Sequence, residues 1–251
     1  MQDRYILGVD VGGSGIKGAI VDTHTGEFQS ERVRLETPQP ATPAAVAKTF
    51  SELVKAHQYK GVIGCGFPAI VKQGVAQSAA NISEQWIGKN IIEALSLSSA
   101  CPVEVLNDAD AAGMAEMAFG LGRGVSGMVL LITIGSGLGS ALFMDGKLVP
   151  NTEFGHIQMK GNAAELYASN KARKTLELGW EEWGQRFDEY LLYIQRILNP
   201  DLILLGGGVS KKFEKFEAQL SVDIEVKPAE LKNQAGIIGA ALHARKQMRS
   251  R

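Results

Sequence analysis

The sequence has 251 residues, 45% of them hydrophobic, and a net charge of −1 from 26 lysine and arginine against 27 aspartate and glutamate residues. This balance is typical of a globular chain with a sizeable core and lacks the basic excess of a general nucleic-acid binder, so we expect no nucleic-acid partner. Its two cysteines, Cys65 and Cys101, are too few for a disulfide framework or a four-thiolate zinc site, and they fit a reducing cytoplasm.

The first half is predicted to begin with three consecutive strands joined by tight turns, Tyr5–Val11, Ile16–Val21 and Glu27–Leu35. A proline-rich segment, Thr37–Pro43, then leads into a helix over Ala44–His57, because its last proline suits the first turn of a helix. The remaining predicted elements of this half are the strand Gly61–Gly66, the helix Lys89–Ser99, the strand Pro102–Leu106 and the helix from Asn107 to Gly120.

The second half repeats this plan. Its uncharged run Val125–Met144 has the length of a membrane span, but glycines and serines at its centre divide it into strands at 127–134 and 138–144. We therefore expect a soluble protein with no membrane partner. The later predicted elements are helices over about 164–178 and 180–198, the strand Asp201–Leu205, a helix from the glycines at 206–208 to about Gln219, short strands near 222–226 and a last helix at about 235–249.

Strand triplets that alternate with helices in two matching halves predict an α/β fold of two duplicated mixed-sheet lobes with a central cleft. The first lobe is predicted at residues 1–110, with the C-terminal helix of about 235–251 packed back on it. The second lobe is predicted at residues 111–234.

Two glycine-rich hairpins are the most informative feature of the chain. Residues 7–22 read LGVDVGGSGIKGAIVD and residues 130–145 read LLITIGSGLGSALFMD; at a constant offset of 123 positions, Gly12 falls on Gly135 and Asp22 on Asp145. Turns without side chains let backbone N–H groups face an anion at contact distance, so both are predicted to bind phosphate. The predicted donor-binding residues are Asp10, Gly12, Gly13, Ser14, Gly15 and Lys17 in the first hairpin and Thr133, Gly135, Ser136 and Gly137 in the second.

Asp10 needs a compensating charge, because it ends an otherwise apolar strand. Mg²⁺ held by this carboxylate and by phosphate oxygens would supply that charge. Lys17 in the facing strand is either a phosphate contact or the partner of Asp10.

Three further clusters carry polar groups suited to chemistry. Asn107 and Asp108 follow a strand and open a helix, so each is either a helix cap or, for Asp108, a base that accepts a hydroxyl proton. The segment Glu153–His156 together with Glu165 suits hydrogen bonds to the vicinal hydroxyls of a sugar, although an ordinary polar loop is an equally open interpretation. The glycines 206–208 and the lysines Lys211, Lys212 and Lys215 form either a phosphate-binding turn or a solvated face.

These motifs together resemble a known family. In chain order they are DVGGSGIK (Asp10–Lys17), GFP (Gly66–Pro68), ND (Asn107-Asp108), TIGSGLGSAL (Thr133–Leu142), EFGH (Glu153–His156) and LLGGGVS (Leu204–Ser210). On them the chain resembles the ROK sugar kinases of the actin-like ATPase superfamily, which implies a two-lobed actin-like, ribonuclease H-like ATPase fold. A homodimer and a cytoplasmic location are further expectations.

The resemblance also implies roles for individual residues. Asp108 would be the general base that takes the proton of the sugar 6-hydroxyl. The implied sugar contacts are Asn107, Glu153, His156, Glu165, Gly66 and Asn81, and the implied phosphate contacts are the two hairpins with Gly207, Gly208 and Lys211. Asp10 would lie near Mg²⁺.

One departure from the family narrows the prediction. Many ROK kinases carry a cysteine-rich zinc motif after the Gly-His pair, but GHIQMKGNAAELYAS has no cysteine, so no zinc site is expected. With ERVRLETPQPATP (Glu31–Pro43) and GGGVSKKFEKF (Gly206–Phe216), this short, zinc-free form is most similar to the polyphosphate glucokinases within the family. This resemblance implies phosphorylation of glucose to glucose 6-phosphate from polyphosphate and also ATP. The alternatives are an ATP-only glucokinase, another hexose kinase, or a sugar-sensing binding protein without catalysis.

Overall fold

A computed structural model of the chain describes residues 3–79 and 81–250, which divide into two compact units. Unit 1 is formed by Met1–Ala115 together with Gln234–Arg251, and unit 2 by Glu116–Asn233. Over the described ranges, none of the helices combines the length and the apolar character that crossing a bilayer requires.

In the described part of unit 1 there are seven strands and four α-helices. Up to the end of its first segment the elements are β1 Tyr5–Val11, β2 Ile16–Asp22, β3 Val33–Leu35, α1 Pro43–Ala56, β4 Ile63–Phe67, β5 Val71–Lys72, β6 Val75–Ala76, α2 Ile91–Ser99, β7 Val103–Asn107 and α3 Asp108–Phe119, which continues into unit 2. Unit 2 continues with β8 Met128–Ile134, β9 Leu138–Met144, β10 Lys147–Val149, β11 Gln158–Met159, β12 Asn162–Ala163, α4 Ala164–Ala168, α5 Asn170–Thr175, α6 Trp180–Leu198, β13 Leu202–Gly206 and β14 Glu225–Pro228. The chain then returns to unit 1 with α7 Ala235–Arg249.

Each unit contains its own five-stranded sheet, and the two sheets have the same topology. The strand order is β3-β2-β1-β4-β7 in unit 1 and β10-β9-β8-β13-β14 in unit 2. In each sheet the first three strands are antiparallel neighbours and the last three are parallel neighbours. The predicted duplicated, mixed-sheet α/β fold is therefore confirmed.

The offset of 123 positions holds only for the first strand of each hairpin. Tyr5 pairs with Asp22 and Met128 with Met144, so the structural counterpart of Asp22 is Met144, and its predicted superposition on Asp145 is wrong by one residue. The cause is the length of the turns. Four residues, 12–15, separate β1 from β2, whereas three residues, 135–137, separate β8 from β9.

Each unit has its own hydrophobic core. In unit 1, α1 and α2 cover the sheet with side chains such as Phe50 and Leu95, and the wholly buried Trp86 joins them by donating its indole N–H to the Ala41 carbonyl at 3.2 Å. Helix α7 packs against β1, β4 and β7. In unit 2 the core is aromatic, with the Trp183 ring stacked on Phe187 at 5.2 Å between centroids.

Three predicted elements are wrong in detail. The strand Glu27–Leu35 survives only as β3, because the Ser30 hydroxyl takes the Ile20 N–H at 2.9 Å in place of a ladder bond. The helix over 164–178 is broken at Ser169, which adopts extended backbone and accepts the Ala172 N–H at 3.2 Å. The stretch from Gly208 to Gln219 forms two short 3-10 segments instead of an α-helix, and the short strand that follows lies at 225–228.

Candidate active site

The first hairpin supplies the compensating charge that Asp10 requires. Lys17 is the cross-strand neighbour of Asp10, and its Nζ lies 3.3 Å from Asp10 Oδ2. The two side chains remain 27% and 20% exposed, so the pair lies where a ligand can reach it. The start of α7 covers the carboxylate, because a Cβ added at Gly236 would lie 3.1 Å from Asp10 Cγ.

The glycine turn of this hairpin is held by side chains from the segment after β2. Thr37 donates its hydroxyl to the Gly12 carbonyl, Gln39 donates to the Gly13 carbonyl at 3.2 Å and Arg34 to the Ser14 carbonyl at 2.8 Å. In a trans peptide unit the N–H points away from the carbonyl. The N–H groups that follow these three carbonyls therefore point away from residues 34–39, as an anion-binding turn requires.

No individual role was predicted for Arg34, Thr37 or Gln39. Their contacts run from side chain to backbone across 20 to 26 positions of the chain. Such bonds produce no periodicity and no short motif, so pattern reasoning cannot find them.

Gly66 and Asp108 lie at one edge of the unit 1 sheet with Asp10. In the parallel part of the sheet Asp10 pairs with Gly66, and Gly66 pairs with Leu106 at the end of β7. A Cβ at Gly66 would be 3.5 Å from the Asp108 Cα. Asp10 is the last but one residue of β1 and Asp108 directly follows β7, so both carboxylates lie at the carboxyl ends of parallel strands, where ligands bind in open α/β sheets.

Asn107 is the cap of α3. Its Oδ1 accepts the N–H groups of Ala109 at 2.9 Å and Asp110 at 3.1 Å, and its amide donates to the Ala69 carbonyl at 3.1 Å. The side chain is buried and fixes the loop after β4 to the start of α3. Asp108 is the first residue of the helix, is partly exposed, and accepts the Ala109 N–H on Oδ1 at 2.9 Å.

Asn81 lies against the glycine turn. It has a left-handed backbone, with φ of 59°, and a Cβ added at Gly13 would be 3.0 Å from the Asn81 Cβ. Within unit 1 the structure thus brings this predicted sugar contact next to a predicted phosphate contact. Only a residue without a side chain at 13 permits that approach.

The second hairpin closes its turn in a similar way, but its surroundings differ. The Gly135 N–H donates to the Gly137 carbonyl at 3.0 Å, and the Lys171 N–H at the start of α5 donates to the Gly135 carbonyl at 3.3 Å. Glu165 reaches over the turn, where its Oε2 accepts the Leu138 N–H at 3.3 Å and occupies the position of a side chain at Gly137. Thr133 pairs with Gly139 and with Gly206, and Ser136 is exposed at the tip.

Glu153, His156 and Glu165 form one cluster in unit 2. His156 Nδ1 is 3.8 Å from Glu153 Oε2, and its Nε2 is 3.6 Å from Glu165 Oε1. Burial raises the pKa of the Glu153 carboxyl, against the opposing effect of His156, and the Glu165 charge adds to the rise. The three predicted sugar contacts of this unit therefore come together as two acceptors on either side of an imidazole, an arrangement that suits vicinal hydroxyls.

A serine in β9 holds the loop that carries this cluster. Ser140 donates its hydroxyl to the Thr152 carbonyl at 2.8 Å and accepts the Phe154 N–H at 3.0 Å. Gly155 lies so close to the Leu138 carbonyl that no side chain fits there. Ser140 and Thr152 were not among the predicted site residues, because a buried serine inside an apolar strand has no distinctive pattern.

Gly207, Gly208 and Lys211, which follow β13, each have different neighbours. Gly207, with φ of 78°, packs on the end of β8, where an added Cβ would be 2.5 Å from the Ile134 carbonyl oxygen. A Cβ at Gly208 would meet no atom within 4 Å. Lys211 lines a groove of about 470 Å³ with Glu214 and Glu217.

The metal predictions concern Asp10 and zinc. Within residues 3–79 and 81–250 no three His, Cys, Asp or Glu side chains cluster in a way that could hold a metal ion. Asp10 offers a single carboxylate beside Lys17, which fits a cation that is bound mainly by phosphate oxygens.

Comparisons with known proteins point in one direction. The model of the ROK family matches residues 6–172. A polyphosphate glucokinase of Mycobacterium tuberculosis (strain CDC 1551 / Oshkosh) is 43% identical over 240 residues, covering 95% of this chain and 91% of the relative. The crystal structure of an inorganic polyphosphate/ATP-glucomannokinase from Arthrobacter sp. strain KM is 42% identical, with a TM-score of 0.94 over 97% of this chain and 99% of that chain. A ROK family glucokinase from Streptomyces griseus, solved with glucose and AMPPNP, shares the fold at 24% identity, with a TM-score of 0.83 over 96% of this chain and 99% of that one.

Proposed function

The chain belongs to the ROK family, and from this membership we propose that it phosphorylates glucose to glucose 6-phosphate, using inorganic polyphosphate and also ATP as phosphoryl donors. Two relatives support the choice of donor. The relative at 43% identity is named a polyphosphate glucokinase, and the structure at 42% identity is named a polyphosphate/ATP-glucomannokinase.

The start of α3 carries the proposal. Sequence reasoning left two roles open for Asp108, a helix cap and a base. Asn107 accepts the N–H groups of Ala109 and Asp110 and is therefore the main cap, although Asp108 Oδ1 also accepts the Ala109 N–H at 2.9 Å. Asp108 is partly exposed at the first position of the helix, so its carboxylate is accessible to a ligand. A carboxylate after the end of a parallel strand is well placed to accept a hydroxyl proton.

In the proposed reaction Asp108 takes the proton of the glucose 6-hydroxyl while that oxygen forms a bond to the terminal phosphorus of the donor. The bond from this phosphorus to the bridging oxygen breaks, and polyphosphate shortened by one unit, or ADP, leaves with the electron pair. Phosphoryl transfer needs alignment, charge neutralisation and such a base. In unit 1 the N–H groups of the first glycine turn and Lys17 are proposed to bind donor phosphate. In unit 2 the second turn, Gly207, Gly208 and Lys211 are proposed to bind donor phosphate.

We propose that Glu153, His156 and Glu165 bind glucose hydroxyls. Two carboxylates accept hydrogen bonds and a neutral imidazole can both donate and accept, so the cluster can distinguish neighbouring hydroxyl groups. Asn107, Gly66 and Asn81 of unit 1 are also proposed to contribute to sugar binding. For Asn107 and Gly66 this contribution is through the backbone and loops that they hold.

Mg²⁺ is the proposed metal, and Asp10 is the residue that would hold it, with phosphate oxygens completing its ligands. When bound, the ion neutralises negative charge on the donor. The proposal also includes a homodimer in the cytoplasm. Light scattering over a range of protein concentrations would test the oligomeric state.

The first experiment compares donors. Purified protein with glucose and Mg²⁺ should release glucose 6-phosphate from both polyphosphate and ATP. Turnover with ATP alone would favour an ATP-only glucokinase. Glucose binding without turnover by any donor would favour a sugar-binding protein and contradict the proposal.

The second experiment removes the proposed base. Asp108→Asn keeps the shape of the side chain, so we expect glucose binding, measured by calorimetry, to persist while turnover falls at least about 100-fold with either donor. Glu52→Gln, an exposed change in α1, is the matched control and should leave turnover unchanged. Normal turnover by Asp108→Asn would remove Asp108 from the mechanism.

A further inference from the structure

A basic surface lies beside the second glycine turn within unit 2. Helix α5 carries Lys171, Arg173 and Lys174 and no acidic residue. The guanidinium of Arg173 lies 4.2 Å from the centre of the Trp180 ring, and the Lys215 ammonium lies 6.0 Å from the same centre. One aromatic ring thus joins cations from two separate elements into a single surface.

Arg173 is held in this position by its own hydrogen bonds. Its Nε donates to Asn170 Oδ1 at 3.2 Å and its Nη1 donates to the Leu178 carbonyl at 3.3 Å. These bonds use two of the five N–H groups of the guanidinium and fix its plane over Trp180. A guanidinium that is already oriented loses little entropy when it binds a phosphate oxygen pair.

The surface begins at the glycine turn itself. The backbone N–H of Lys171 donates to the Gly135 carbonyl at 3.3 Å, so the start of α5 lies against the turn. From there the cations lead along α5 to Trp180 and on to Lys215. The lysines Lys171, Lys174 and Lys215 are exposed.

Three of the acidic residues near this surface pair with another cation or line another groove, whereas Glu177 and Glu181 are exposed beside it. Glu182 on α6 pairs with Arg186 at 3.1 Å. Glu214 and Glu217 line the groove that contains Lys211. Lys211 and Lys215, which the sequence suggested as one patch, therefore have different neighbours.

We propose that Lys171, Arg173, Lys174 and Lys215 form a polyanion track that binds the phosphates of a long polyphosphate chain beyond those at the reacting end. The inference rests on the proposed function and adds to it the course of the chain and a preference for long donors. Each phosphate that binds a lysine or arginine of the track releases counter-ions into solution. The affinity for polyphosphate therefore increases with chain length and decreases with salt. ATP and tripolyphosphate carry only three phosphates, so they gain less from these cations than a long chain does.

The test compares three donors in one triple variant. Lys171→Gln, Lys174→Gln and Lys215→Gln together keep Arg173 and its structural bonds, and all three positions are exposed, so the fold should persist. With long-chain polyphosphate we expect kcat/KM to fall about eightfold, or about twofold for each exposed contact. With ATP and with tripolyphosphate we expect a change of less than about twofold. Lys147→Gln, an exposed lysine in β10, is the matched control.

Salt dependence is the second readout. The slope of log KM for long-chain polyphosphate against log salt should decrease by about 2 in the triple variant, since three cations are removed and each contributes about 0.7 on a single-stranded polyanion. Equal losses for all three donors, an unchanged salt slope, or the same loss in Lys147→Gln would overturn the track. If the triple variant unfolds, Lys174→Gln and Lys215→Gln singly should each give about a twofold, long-chain-specific loss, and no such loss would overturn it.

Failure of the track and failure of the proposed function can be told apart. Wild-type protein that forms glucose 6-phosphate from polyphosphate with the same kcat/KM per chain at all lengths would overturn the track and leave the function intact. Wild-type protein that forms no glucose 6-phosphate from any donor would contradict the function itself.

Discussion

Two glycines in the same helix should respond in opposite ways to the same substitution. In α7, Gly236 faces the Asp10 carboxylate and Gly239 faces the Ala111 carbonyl in α3. At Gly236 an added Cβ would be 3.1 Å from Asp10 Cγ, so the end of one side chain must give by a few tenths of an ångström. At Gly239 the added Cβ overlaps a backbone carbonyl, and two helices would have to separate.

The magnitudes separate the two variants. In a helix, alanine is favoured over glycine by up to about 1 kcal/mol. Moving Asp10 off its rotamer costs about 1 kcal/mol, so Gly236→Ala should leave the free energy of unfolding nearly unchanged. Overpacking costs about 1–3 kcal/mol or more, so Gly239→Ala should lower the melting temperature by about 2–10 °C.

Activity should follow the reverse order. A misplacement of about 1 Å at a reacting site can cost about 100-fold in rate, so a shift of a few tenths of an ångström in Asp10 should lower kcat about 3- to 10-fold. Gly239→Ala should retain kcat per folded molecule. The assays are thermal unfolding and the rate of glucose 6-phosphate formation at saturating substrates. A normal kcat in Gly236→Ala, or wild-type stability in Gly239→Ala, would refute this account of the packing around α7.

Three more outcomes follow from the site and the core. Burial, aided by Lys246, lowers the pKa of His243 to about 4, so the folded state binds fewer protons than the unfolded state. The free energy of unfolding should therefore fall by up to about 3 kcal/mol as pH drops from 6.5 to 4. Chemical denaturation of His243→Gln should show no such loss. Because the Glu165 charge raises the pKa of Glu153, Glu165→Gln should move the acid limb of kcat/KM for glucose to lower pH, and a limb that stays or rises would contradict the coupling. Ser140→Ala removes the hydroxyl that holds the loop at 152–154, so KM for glucose should rise several-fold more than kcat falls. The free energy of unfolding should decrease by about 1–3 kcal/mol. An unchanged KM would show that the loop is held by other contacts.

Much of the fold could be predicted because its signals are local. Alternation and apolar runs identified the strands of both sheets, and Pro43 identified the start of α1 within one residue. Two of the failures, at Ser30 and at Ser169, have the same physical cause. Ser30 and Ser169 each offer a hydroxyl to a backbone N–H, and that single bond ends a strand or divides a helix without changing the hydrophobic pattern.

In the candidate site, too, some residues could be predicted from the sequence and others could not. Residue types left Asp108 as a cap or a base, and left Glu153, His156 and Glu165 as a sugar site or an ordinary polar loop. The resemblance to the ROK kinases favoured the functional role in each case. Sequence reasoning did not find the residues that hold these groups in place, such as Thr37 and Ser140. Their hydrogen bonds join positions far apart in the chain or lie inside an ordinary strand, so only the tertiary structure shows them.

The two glycine turns are related by duplication, yet they do not have the same role. In the first turn the glycines bring Asn81 close and leave Asp10 paired with Lys17. In the second, one residue shorter, the space over Gly137 is filled by the Glu165 carboxylate, which belongs to the proposed sugar cluster. A negative charge over Gly137 disfavours phosphate on that side of the turn, whereas a Cβ added at Gly135 would meet no atom within 4 Å. Within unit 2 a phosphate is therefore expected on the Gly135 side, next to the start of α5. The missing side chain at 137 makes room for the Glu165 carboxylate, which we propose to bind sugar.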